Sequence, residues 1–239
     1  MSTNRDHPVL LDRLSRTIIG CQRCPRLRSY CEHISKERRR AFAGWEYWGK
    51  PLPGFGDPYA RVLVVGLAPA AHGGTRTGRI FCGDSSGDWL IKALYETGFA
   101  NQPTSTHKGD GLKLSGVYLT AVVRCAPPQN KPTKDETQNC LPYLREELRI
   151  LRNISIVLVL GRIALDGFIR VLQDDHHLRV RPRPRFEHGA NYNLGNGLPK
   201  LYVSYHPSRR NTQTKTLTWP MWVRTFKIIR RQLNKSATQ

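Results

Sequence analysis

Residues 61–87 read RVLVVGLAPAAHGGTRTGRIFCGDSSG. After Arg61, Val62 to Val65 form a short, wholly apolar run, the pattern of a strand buried on both faces. A loop of glycine, alanine and proline follows, and Asp84-Ser85-Ser86-Gly87 precedes an amphipathic stretch. A strand feeding a small-residue loop and then a helix builds a ligand crevice at the carboxyl end of a parallel sheet, where backbone N–H groups face the ligand. Two phosphate-binding motifs fail here. The Gly73-Gly74-Thr75-Arg76-Thr77 segment lacks the Lys-Ser/Thr pair of a P-loop, and Gly66-Leu67-Ala68-Pro69-Ala70-Ala71 has alanines where a dinucleotide fingerprint needs glycines. Small residues still let a flat ligand approach the backbone.

Outward from this stretch, strands are expected at 117–123, 154–160 and 198–205. Helices are expected at 8–19, from Trp89 to about Thr97, at 134–152 behind a Thr133/Glu136 capping box, at 163–172 and at 219–232. Strands alternating with helices predict an α/β protein: a three-layer α/β/α sandwich around a central four-stranded parallel sheet, as one domain over 1–239. Pro25 is expected to keep the Cys21-Gln22-Arg23-Cys24 turn from continuing as helix. The chain from Arg26 to Lys50, basic and aromatic, reads as a surface arm, within an N-terminal arm of about 17–50. Residues 174–188, DDHHLRVRPRPRFEH, are expected to form an exposed basic excursion rather than to pack.

The 239 residues carry 38 Lys+Arg against 18 Asp+Glu, a net charge of +20. So strong a basic excess points to a polyanionic partner, foremost nucleic acid. No apolar run approaches the ~20 residues that span a bilayer, and the first residues lack a signal-peptide pattern. The expectation is therefore a cytoplasmic, nucleoid-associated protein with no membrane partner, acting as a monomer. In a reducing compartment, six cysteines argue for metal or cluster ligation over disulfides. Cys21 and Cys24, with Cys125 and Cys140, make a C-x2-C plus C-x14-C set. By count, four thiolates suit either zinc or a [4Fe–4S] cluster. Cys31 and Cys82 are left as free thiols, although Cys31 could replace one ligand.

Three loops are expected at one edge of the sheet: 66–87, 124–132 and 206–214. His206 stands at a strand end there, where a histidine is as often structural as catalytic. Asp84 has an ordinary reading as a helix N-cap, and Phe81 as core.

Taken together, these residues resemble the uracil-DNA glycosylase superfamily, specifically its family 5 (type B) enzymes. The first motif lies in Gly66-Leu67-Ala68-Pro69-Ala70-Ala71-His72-Gly73 and Arg76-Thr77-Gly78-Arg79-Ile80-Phe81. The second lies in His206-Pro207-Ser208-Arg209-Arg210-Asn211-Thr212. The four cysteines resemble the [4Fe–4S] ligands of families 4 and 5. The likeness runs from about residue 17 to 232, excepting 174–188.

The resemblance implies hydrolysis of an N-glycosidic bond in damaged DNA, duplex or single-stranded, leaving an abasic site for base excision repair. A base must leave the stack to be reached. By analogy Gly66, Ala68, Pro69, Ala70, Ala71, His72 and Asn211 belong to the base site, and Phe81 stacks on the flipped base. His206 donates to the base O2 as negative charge develops. Asp84 stabilises the cation-like sugar and orients water. Ser208, Arg209 and Arg210 hold phosphate or the space left by the base, and Arg76 and Arg79 contact backbone phosphates. The cluster is implied to be structural, pinning the arm to 125–140. Two departures matter. Ala70-Ala71 replace the acidic or amide residue of other families, which shifts the water-positioning role to Asp84. Ala121 stands where relatives often carry an Asn that reads the uracil edge, so hypoxanthine, xanthine and other deaminated bases are expected substrates. The rival readings are a non-catalytic iron–sulfur nucleic-acid-binding protein and a zinc-stabilised enzyme acting on a small planar ligand.

Overall fold

The computed structural model describes residues 6–176, 182–195 and 197–235. Helices α1 (His7–Ile19) and α2 (Pro25–Glu37) lead into strands β1 (Phe55–Gly56) and β2 (Val62–Gly66). A short α3 (Gly74–Thr77) and then α4 (Ser85–Glu96) precede β3 (Val117–Ala121). The remainder is α5 (Lys134–Ile150), β4 (Ile156–Leu160), α6 (Arg162–His176), β5 (Asn191–Tyr192), β6 (Lys200–Ser204), α7 (Arg209–Gln213) and α8 (Trp219–Lys235).

The sheet order is β1-β3-β2-β4-β6-β5. Its centre, β3-β2-β4-β6, is parallel throughout. The two edges are two-residue antiparallel strands, β1 on β3 and β5 on β6. The four expected strands are therefore the central four of a six-stranded mixed sheet. The edge strands are too short to carry a periodic signal.

Alternate residues of β2 and β4 serve opposite layers, as strand geometry requires. Leu63, Val65, Val157 and Val159 pack with Leu14 and Ile18 of α1, Leu27 of α2, Leu144 of α5 and Phe168 of α6. Val62, Val64, Ile156 and Leu158 pack with Leu90, Ile91 and Leu94 of α4 and with Trp222, Phe226 and Ile229 of α8. Both faces are covered, which explains why the strands read as unbroken apolar runs.

The arm is more structured than the sequence suggests. Pro25 is the first residue of α2 rather than a helix breaker, since proline at N1 forfeits no intrahelical bond. Leu27 and Cys31 are fully buried and Tyr47 is buried. Residues 177–181 of the expected excursion lie outside the described residues. Of its flanks, 174–176 continue α6, while Pro184 is buried and Phe186 packs on Tyr205. Pro184 and Phe186 thus pack, contrary to the expectation, while Pro182, Arg183, Arg185 and Glu187 are exposed as expected. The described residues contain no helix long and apolar enough to cross a membrane.

Candidate active site

The carboxyl ends of β2, β4 and β6 open into one cleft of about 820 Å³. Its walls come from Leu67 to Gly73 after β2, from Phe81 and Gly83 to Ser86 before α4, and from Gly161 to Ala164 after β4. His206, Ser208 and Arg209 follow β6. Pro127, Gln129 and Asn130 from the turn after β3 complete the rim, with Tyr30, Arg39 and Phe42 from the arm. Of the base-site residues expected from the sequence, Ala68, Pro69, Ala70, Ala71, His72 and Phe81 line this cleft.

Asp84 is the N-cap of α4, its Oδ1 accepting from Ser86 N at 2.9 Å and Gly87 N at 3.0 Å. Its other oxygen lies against Gly73, where a Cβ would fall 2.2 Å from Oδ2. Burial raises the Asp84 pKa above the ordinary carboxylate range; the two N–H groups, Arg76 and Arg209 oppose that rise. The capping role and a place on the cleft wall thus coexist in one side chain.

His206 borders the same cleft, and burial alone lowers its pKa to about 4. Its imidazole is therefore neutral at physiological pH, with an N–H to donate. The His206 carbonyl accepts from Asn211 Nδ2 and from Ser208 N, each at 2.8 Å. Asn211 does not line the cleft; it fastens the backbone that carries His206. Ser208 caps α7. Arg209 lines the cleft and is exposed, whereas Arg210 is exposed outside it.

Gly66 also stays outside the cleft, and its missing Cβ lets the Phe81 ring pack where that atom would lie 2.7 Å from the ring. Phe81 holds φ at 52°, a left-handed conformation uncommon outside glycine. His72 Nδ1 lies 3.0 Å from Tyr47 Oη. Burial, with Arg39 and Arg76 nearby, lowers its pKa.

The two arginines expected at phosphates lie elsewhere. Arg76 is 5% exposed, bonds the carbonyls of His72 (2.8 Å) and Gly83 (3.0 Å), and sits in the corner formed by the Phe42 and Trp45 rings, at 4.0 and 4.1 Å from their centres. It ties both ends of the cleft loop to the arm. Arg79 is 4% exposed and held by Asp110 at 2.5 Å and Ser105 at 2.8 Å. Both guanidinium groups are buried and bonded within the protein, although Arg76 Nη1 and Arg79 Nε have no hydrogen-bond partner among the described residues. Ala121 pairs with Gly66 in the sheet core and is likewise absent from the cleft wall. Sequence reading missed Gln129 and Asn130, which reach the rim through successive left-handed φ values of 54° and 57°. The Pro-Pro-Gln-Asn run is the sequence signal for that turn.

At the arm, Cys24 precedes Pro25 of α2 and Cys140 lies within α5. Arg26 grips Glu136 through two 2.7 Å bonds, Arg23 stacks over Tyr143, and Asn139 donates to Cys24 Sγ at 3.7 Å. Cys24 is pushed up mainly by burial. Cys140 is raised to about 11, by burial first and then by Cys24 and Cys21. Cys125 is raised by its contact with Cys31, by burial and by Cys140. The thiols thus sense one another across the arm–α5 joint. Their all-sulfur, largely buried chemistry fits a soft metal or an iron–sulfur group. Among the described residues, no three His, Cys, Asp or Glu side chains converge closely enough to hold a metal ion as they stand. Cys31 is buried against the Ala126 carbonyl, and Cys82 accepts from Arg79.

The profile of the uracil DNA glycosylase superfamily matches residues 53–227. A type-5 uracil-DNA glycosylase of Thermus thermophilus is 48% identical over 87% of this chain and 91% of its own length. One from Pyrobaculum aerophilum is 44% identical over 84% of each. A type-4 uracil-DNA glycosylase of the latter organism is 31% identical over 68% of this chain and 66% of its own length. The chain belongs to the uracil DNA glycosylase superfamily, in its type-5 branch.

Proposed function

We propose that this protein hydrolyses the bond between a deaminated base and C1′ of deoxyribose in DNA, acting on uracil and also on hypoxanthine and xanthine. The observation that carries the reading is the meeting of Asp84 and a neutral His206 on one small-residue cleft, in a chain of this family. As the bond breaks, electrons pass to the base and the sugar becomes cation-like. His206 donates an N–H toward the base oxygen that gains charge. The Asp84 carboxylate faces the sugar, stabilises the cation and orients water. The water hydroxyl ends on C1′ and its proton on the departing base. Phe81 offers an aromatic face to the flipped base, while Ser208, Arg209 and Arg210 meet the DNA. Broad base choice is supported by Ala68, Ala70 and Ala71, which bring no side-chain donor or acceptor to the cleft wall.

Cys21, Cys24, Cys125 and Cys140 would hold a structural [4Fe–4S] cluster, which when bound cross-links the arm to α5. The reading is tested with duplexes carrying one uracil, hypoxanthine or xanthine, treated with hot alkali to reveal abasic sites. Cleavage at all three is expected. Cleavage at uracil alone would remove the broader range. None at all, with DNA binding retained, would favour a non-catalytic binding protein.

A further inference from the structure

A second groove of about 580 Å³ adjoins the cleft, lined by Arg162, Leu165, Asp166, Arg183, Pro184, Arg185 and Phe186. Arg162 lines both, so the two are neighbours across that residue. Its guanidinium lies over the Phe186 ring at 5.1 Å. Phe186 in turn meets Tyr205, which stacks on His188 and directly precedes His206. Arg183 pairs with Asp166 at 2.7 Å, which leaves the groove with three arginines against one carboxylate. The backbone N–H and carbonyl of Arg185 are both fixed by Tyr192 Oη, at 3.0 and 2.9 Å, while its side chain is exposed. An arginine on an anchored backbone with its charge in solvent is poorly explained by stability.

We infer that this groove binds the sugar–phosphate backbone of the damaged strand next to the flipped nucleotide, with Arg162 and Arg185 as phosphate contacts. The inference rests on the glycosylase reading for the strand concerned. A nucleotide seated in the cleft keeps its own backbone, and at the Arg162 edge that backbone passes into the groove. Contact with one strand only implies that single-stranded DNA uses the groove as fully as a duplex does.

The test compares wild type, Arg185→Ala, Arg185→Lys and Arg162→Ala for binding to a tetrahydrofuran-containing oligonucleotide, single-stranded and duplex, over a salt series. Each lost phosphate contact should flatten the slope of log affinity against log salt by about 0.7 on the single strand and about 0.9 on the duplex. For the duplex that is about an eightfold loss at about 0.1 M salt relative to 1 M. Arg185→Lys should restore slope and affinity, which a merely structural role would not predict. Single-turnover excision at saturating enzyme should stay within about twofold in Arg185→Ala, which lies outside the cleft wall. Unchanged slopes in Arg185→Ala and Arg162→Ala, or an effect on duplex alone, would overturn the inference. Uracil release by wild type is scored in parallel; its failure would strike the glycosylase reading, while the binding comparison still decides the groove.

Discussion

Asp84 does two things that substitution can separate. As a cap, its Oδ1 accepts two backbone N–H groups of α4; as a charge, it faces the cleft. Asparagine keeps an amide oxygen for the cap and removes the charge. Alanine removes both. Loss of the cap costs about 1 kcal/mol, roughly 2–4 °C of Tm for a chain of this size. Loss of preorganised stabilisation at a developing charge slows the chemical step about 10²–10³-fold, or about 2.7–4 kcal/mol. Asp84→Asn should therefore melt no lower than wild type, and even higher, because burial makes the ionised carboxylate unfavourable in the fold. Its single-turnover release of uracil should fall by the full 10²–10³, with affinity for DNA kept. Asp84→Ala should show the same rate and a lower Tm. The assay pairs thermal melting with single-turnover excision at saturating enzyme. An Asp84→Asn protein that keeps more than about a tenth of the wild-type rate would refute the role given to the charge.

Gly73→Ala should mimic the loss of Asp84, since its methyl would fall 2.2 Å from Oδ2 and displace the carboxylate; excision should drop while salt-dependent DNA binding persists. Arg79→Ala should cost about 1–3 kcal/mol of stability by removing the charge paired with Asp110, whose carboxylate keeps the Thr106 and Leu112 N–H groups. The slope of DNA affinity against salt should not change, contrary to what a phosphate contact would give. On pH, excision should have an acid limb set by Asp84, above the ordinary carboxylate range, and no step near 6.5 from His206. The sign for stability follows from the lowered His206 pKa. The unfolded chain takes up that proton near about 6.5, the folded chain only near about 4. Wild type should therefore lose Tm relative to His206→Gln as pH falls between those values.

The central strands were legible because both faces of β2 and β4 are buried, leaving apolar runs with clear ends. The capping box at Thr133 was equally plain, its reciprocal bonds being local in sequence. Burial of a charged side chain was not legible. Arg76 and Arg79 look like phosphate ligands in a basic chain, and only the fold reveals the Phe42–Trp45 corner and the Asp110 partner. Asp110 lies 31 residues from Arg79 in a polar stretch without pattern. Asn211 likewise looked like a base ligand, because its bond to the His206 carbonyl depends on the local turn. The arm misled through Pro25, whose place at the start of a helix depends on where the preceding turn ends.

Bond hydrolysis at the Asp84–His206 cleft would yield free base as its product. The most direct measurement is release of radiolabelled uracil from a duplex by wild type, Asp84→Asn and His206→Ala, counted against the abasic sites formed. The prediction is one free uracil per abasic site in wild type, with a strand that stays intact until alkali is added, and strongly slowed release in both variants. Wild type that binds the duplex and frees no uracil, or variants that release it at the wild-type rate, would contradict the account.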